Sequence, residues 1–234
     1  MRSSHAISLL LGVLIGAAQA QPIGMVDAPC AGLETGKLDL YGLCRYRDDN
    51  AALRSKPDLL LYGDSITEGW VNADPAFFGT QVVGRGISGQ TSAQMLVRFH
   101  ADVVALQPRR VQIMAGTNDV AGNQGPTSEQ AWANNIMAMV EIARAHGIEP
   151  VLASIPPAAS FWWRKEVKPA ERIVRLNVWL RDYAKQQSLR YVDYYSVLVG
   201  EGGALKYEYG EDGVHPNATG YAVMRPLAEA LLKP

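Results

Sequence analysis

Five short apolar runs punctuate this chain, and segments with helical periodicity separate them. They lie at about residues 59–62, 81–83, 111–114, 150–155 and 191–193. Between them, Met95, Leu96, Phe99, Val103 and Leu106 recur at helical spacing, as do Trp132, Ile136, Val140 and Ala143, and then Ile173, Leu176, Leu180 and Ala184. A strand covered on both faces reads as a continuous apolar run, and strands alternating with helices at this spacing build a parallel sheet. The pattern therefore predicts an α/β fold with five parallel strands and helices on both faces.

Local signals bound the helices. Thr91 or Ser92 is placed to cap the second element of the series, and Thr127 with Gln130 matches a capping box ahead of Trp132. Gly147 stops that helix, while Pro226 is expected to kink or restart the last one, over about 217–232. Residues 21–57 show no sustained period and read as an irregular N-terminal arm, helical at most over 46–54. With no internal repeat, linker or second composition regime, residues 21–234 are expected to form one domain.

The first twenty residues have the organisation of a signal peptide. Arg2 supplies the positive start, an apolar stretch follows, and Ala18-Gln19-Ala20 supplies a small-residue cleavage site. The apolar stretch is shorter than the roughly 20 residues a membrane span needs, and Gln21, not a lipid-accepting cysteine, follows Ala20. Export to a periplasmic or extracellular location, with cleavage near Ala20, is the expectation. The two cysteines, Cys30 and Cys44, fall in the arm. In an oxidising compartment they read as one disulfide, which the loop model values at roughly 3 kcal/mol; two buried thiols are the alternative. The net charge of −1, with no basic run carrying interleaved aromatics, excludes an evident nucleic-acid partner.

Chemistry concentrates where the apolar runs end. Leu59-Leu60-Leu61-Tyr62 runs into Gly63-Asp64-Ser65, the second run into Gly84-Arg85-Gly86, and the third into Gly116-Thr117-Asn118-Asp119. Strand ends of one parallel sheet share an edge, which is where open α/β sheets place ligands. A fourth piece, Asp212-Gly213-Val214-His215, precedes the final helix. A histidine base needs a carboxylate to fix its tautomer, and a spacing of three residues lets one tight turn hold both. Ser65, His215 and Asp212 are thus a candidate nucleophile, base and acid. The backbone N–H groups of Ser65 and Gly86 and the Asn118 amide are candidate donors to an oxyanion. Asp64 and Asp119 read as turn supports, and His100 and His146 as helix-surface residues. No cluster of His, Cys, Asp or Glu has metal-ligand spacing. Trp162 and Trp163, in a loop over 156–168, either line a substrate pocket or cover the core.

These blocks, in this order, resemble the SGNH/GDSL hydrolases. The matching residues are Gly63-Asp64-Ser65-Ile66-Thr67, Gly86 within Arg85-Gly86-Ile87-Ser88-Gly89, Gly116-Thr117-Asn118-Asp119 and Asp212-Gly213-Val214-His215-Pro216. The run Ile66-Thr67-Glu68-Gly69-Trp70 is similar to the branch containing platelet-activating-factor acetylhydrolase catalytic subunits. The resemblance spans about residues 57–232. It implies a flavodoxin-like three-layer α/β/α sandwich and metal-independent, cofactor-free ester hydrolysis. Ser65 is then the nucleophile, Asp212 and His215 its partners, and Ser65, Gly86 and Asn118 the oxyanion hole. Gly84 stands where relatives often carry Asn, which puts one local turn contact in doubt. The substrates so implied are short-chain acyl esters, with acetylated polysaccharide, lysophospholipids and thioesters as alternatives. A non-catalytic binding module would be expected to lack one of these residues, and none is lacking. Oligomeric state is not legible.

Overall fold

The computed structural model describes Cys30 and residues 39–233; the expected signal segment lies outside the described residues. A short helix α1 (Arg47–Ala52) precedes strand β1 (Leu59–Gly63), whose five residues are all buried. Helix α2 (Ser65–Ala73) follows at once, then β2 (Val82–Gly86) and α3 (Ser92–Phe99). A π-helical turn, His100–Val104, extends α3. Next come β3 (Arg110–Met114), the short α4 (Thr117–Ala121), the long α5 (Glu129–Ala145) and β4 (Glu149–Ala153). Helix α6 (Ala170–Gln186), β5 (Arg190–Val192), α7 (Tyr194–Leu198) and α8 (Ala218–Glu229) complete the order.

All five strands are parallel, in the order β2-β1-β3-β4-β5. Successive side chains of a strand face opposite sides, and β1 divides its residues between two cores accordingly. Leu60 and Tyr62 pack with Val111 and Ile113 under α3, α5 and α6; Leu59 and Leu61 pack with Trp70, Tyr194, Tyr221 and Met224 under α2, α7 and α8. This is the expected three-layer sandwich with its five-stranded sheet. The order reverses between β1 and β3, and the crevice beyond their carboxyl ends is where such sheets hold ligands.

Several boundaries differ from the sequence reading. Strand β2 continues through Gly84 and Arg85 to Gly86, which pairs with Gly63; the two glycines conceal the strand because β propensity scores them low. The cap of α5 is Ser128, whose hydroxyl accepts from Ala131 N–H at 3.0 Å, rather than Thr127. With the register one residue later, Gln130 reaches forward to Asn134 instead of back. At α3 the capping box is complete, with Thr91 as cap and Gln94 as its partner. Pro226 does not restart α8, which runs through it. The carbonyl it deprives of a partner is that of Ala222, and both residues are exposed, so water can replace the missing bond. Neither cysteine is free: Cys30 and Cys44 are both disulfide-bonded. Among the described residues no helix is long and apolar enough to cross a membrane.

Candidate active site

Strand β1 delivers its last residue, Gly63, to the sheet edge, and Asp64 turns the chain into α2 by accepting from Ile66 N–H at 3.0 Å. Ser65 is thereby the first helical residue, a position whose backbone N–H has no intrahelical acceptor. Its Oγ lies 2.9 Å from His215 Nε2, and His215 Nδ1 lies 2.6 Å from Asp212 Oδ2. The other Asp212 oxygen accepts from Val214 N–H at 2.9 Å and His215 N–H at 2.7 Å. One turn therefore fixes Asp212 and His215 together, as the spacing of three suggests. Partial burial pushes the Asp212 carboxyl up, but the bonds from His215 and Val214 outweigh it and hold it below its ordinary value. An ionised Asp212 only accepts, so Nδ1 carries a proton, and in a neutral ring Nε2 is then the acceptor for Ser65 Oγ.

Gly86 ends β2 against the first turn of α2. A Cβ there would collide with the backbone of Asp64, Thr67 and Glu68, so only glycine permits this approach. Two contacts fasten the segment. Tyr46 O–H donates to the Gly86 carbonyl, and Glu68 accepts from Ser88 N–H at 2.9 Å and Ser88 Oγ at 2.5 Å.

Asn118 sits in the first turn of α4. Its amide nitrogen donates to Gln90 O at 3.0 Å and Asp64 Oδ2 at 3.2 Å, and its Oδ1 accepts from Asn123 Nδ2 at 2.5 Å. Asp119 accepts from Ser92 N–H at 2.9 Å and Ser92 Oγ at 2.6 Å, docking α4 on α3. Burial raises both aspartates. Asp119 is offset by the Ser92 bonds, while Asp64 is pushed up to about 6 despite the Ile66 N–H and the nearby His215.

The structure separates the two tryptophans. Trp163 packs its ring near-parallel to His215 with centroids 6.4 Å apart and rests on the buried Phe161 at 5.0 Å. Trp162 meets Trp163 edge-on at 5.3 Å and is 63% exposed. Neither the arm nor α3 signalled its part in the site. Arg98, on α3 and fully buried, donates to Gly63 O at 2.9 Å and Arg85 O at 3.1 Å, tying together the ends of β1 and β2. Gln90 Oε1 and Asp102 satisfy the rest of its guanidinium, at 2.5 and 2.9 Å. A lone arginine among Met95 and Phe99 on an apolar helix face is the one signal that could have found it. Among the described residues no group of three or more His, Cys, Asp or Glu side chains could hold a metal ion.

The sequence model of the GDSL-like lipase/acylhydrolase family matches residues 61–223. The chain belongs to this family. Two solved structures cover 83% of it at 44% identity: a candidate acylhydrolase from Bacteroides fragilis, TM-score 0.80 over 97% of that chain, and a GDSL-like lipase from Bacteroides thetaiotaomicron, TM-score 0.79 over 98%. An uncharacterised lipoprotein of Bacillus subtilis, YqeF, is 33% identical over 122 residues. The match covers 44% of this GDSL-like chain and 50% of YqeF, so it spans half the length of that relative.

Proposed function

We propose that this protein is an exported GDSL-type serine esterase that cleaves short-chain carboxylic esters through an acyl-enzyme. The observation that carries the reading is the bonded series Ser65 Oγ, His215 Nε2, His215 Nδ1 and Asp212 Oδ2, at 2.9 and 2.6 Å, on a serine that begins a helix. Ser65 Oγ attacks the ester carbonyl while His215 takes its proton, and Asp212 stabilises the imidazolium. The negative oxygen of the tetrahedral intermediate is received by Ser65 N–H, Gly86 N–H and Asn118 Nδ2. Collapse expels the alcohol, protonated by His215. Water, deprotonated by His215, then attacks the acyl-serine and regenerates Ser65. The disulfide supports an oxidising destination for the folded protein.

A second reading of the same site, a carbohydrate O-acetylesterase, is favoured by Trp162. An exposed indole one ring away from His215 is a surface on which a sugar ring can stack. Labelling with a fluorophosphonate probe, followed by rates on p-nitrophenyl esters of increasing chain length and on acetylated xylo-oligosaccharides, tests both. Labelling and turnover are expected to vanish in Ser65→Ala; ester hydrolysis persisting in that variant would sink the mechanism. Short p-nitrophenyl esters preferred over acetylated sugars would remove the second reading.

A further inference from the structure

We propose that Asn123 is a positioning residue for the oxyanion site, holding the oxygen end of the Asn118 amide while Gln90 O holds the nitrogen end, and that the Trp163 indole sets the sense of the Asn123 amide. The inference rests on the acyl-enzyme reading above and adds a residue and a coupling to it. An asparagine amide presents a donor at one end and an acceptor at the other. Turned the wrong way, Asn118 would aim a carbonyl at the developing negative charge. What fixes its sense can be followed outward. Asn118 Oδ1 accepts from Asn123 Nδ2, and Asn123 Oδ1 accepts from Trp163 Nε1–H at 2.8 Å. An indole nitrogen only donates. It therefore requires the Asn123 oxygen on its side, which sends the Asn123 nitrogen to Asn118 Oδ1, while Gln90 O takes the Asn118 nitrogen.

The backbone is arranged to present Asn123 there. Helix α4 ends at Gly122 with φ of +69°, a left-handed residue that reverses the chain, and Asn123 N–H then donates to Asn118 O at 3.1 Å. Asn118 is thus gripped twice by Asn123, once through the backbone and once through the amide. Arg164 donates to Gly122 O at 3.2 Å, fastening this turn to the tryptophan loop.

The grip matters at one moment. Both hydrogens of Asn118 Nδ2 already have protein acceptors, Gln90 O and Asp64 Oδ2. To serve the oxyanion, the amide gives up the longer bond, to Asp64. Gln90 and Asn123 then remain as its holds. Trp163, packed beside His215, connects the face a substrate leaving group meets to the sense of the amide that stabilises the transition state.

The test is a mutant cycle on p-nitrophenyl acetate with kcat and KM separated. Asn118→Ala is expected to lower kcat by about 10²–10³-fold. Asn123→Asp puts an acceptor against Asn118 Oδ1 and is expected to lower kcat by more than about 10-fold, with KM within about twofold. Placed on Asn118→Ala, Asn123→Asp is expected to cost less than about twofold more, because its effect passes through an amide no longer present. Trp163→Phe keeps a ring beside His215 but removes the donor, and its loss is expected to shrink likewise in the Asn118→Ala background. Losses that multiply fully in that background, or Asn123→Asp turning over at the wild-type rate, would overturn the proposal while leaving the acyl-enzyme reading intact. Activity surviving Ser65→Ala would instead bring down that reading, and this inference with it.

Discussion

Asp64 carries opposing demands in a single carboxyl group. It caps α2 and receives the Asn118 amide, yet it is buried, so its pKa is pushed up to about 6. The consequence for stability has a definite sign. In the unfolded chain the group titrates near 3.8. Between about pH 4 and 6 the folded protein keeps a proton that the unfolded chain releases, so stability falls as pH rises through that window. The loss is on the order of 3 kcal/mol by pH 7. Asp64→Asn cannot ionise, and an asparagine still caps a helix. Apart from a constant offset from the altered Asn118 bond, its melting temperature relative to wild type should climb from pH 4 to 6 and then level. A flat difference across that range would contradict a raised Asp64.

At this scale the candidate residues Ser65, Asp212, His215, Gly86 and Asn118 were legible because the proposed chemistry asks for particular residue types, at strand ends for Ser65, Gly86 and Asn118 and in one tight turn before α8 for Asp212 and His215. Tyr46, Arg98 and Asn123 were not. Each depends on a distant partner: Tyr46 and Arg98 donate to the carbonyls of Gly86 and Gly63 across 40 and 35 positions, and Asn123 accepts from the Trp163 indole across another 40. Such pairings leave no local spacing to read.

Among the elements, the arm proves more than a lead-in. Strand β2 lies at the edge of the sheet, where one side of a strand has no neighbour to hold it. Tyr46 supplies a hold at the strand's last residue, donating to Gly86 O, and the guanidinium groups of Arg45 and Arg85 each lie over its ring, at 4.9 and 4.7 Å. Arg45 continues to Glu68 at 3.1 Å, which in turn grips Ser88. Tyr46→Phe should retain the packing and lose the bond. The expected result is about 1 kcal/mol of stability and a several-fold lower kcat with KM little changed. Equal kcat in the two proteins would show that Gly86 needs no help from the arm. Short elements were the ones the sequence concealed: α4 and α7 have five residues each, too few to display a 3.6-residue period. The long α5 and α6, with 17 residues each, stood out clearly.

At the scale of the whole molecule, alternating apolar runs were enough to predict a parallel five-stranded sheet, since continuous burial leaves a strong trace in composition. Strand order left no such trace and came only with the family resemblance, because adjacency in a sheet is a long-range property. That topology also distributes the candidate site along the chain. Ser65 and His215 are 150 residues apart, and Tyr221 O–H bonds Ile66 O at 2.8 Å across 155, latching the last helix onto the one that begins with the serine. Translation makes Ser65 150 residues before its proposed base, His215. Under the proposed acyl-enzyme mechanism, the growing chain holds the Ser65 hydroxyl without its base until His215 has been added and placed against it. A chain halted after residue 205, assayed with the fluorophosphonate probe, should remain unlabelled, whereas the 234-residue chain should react.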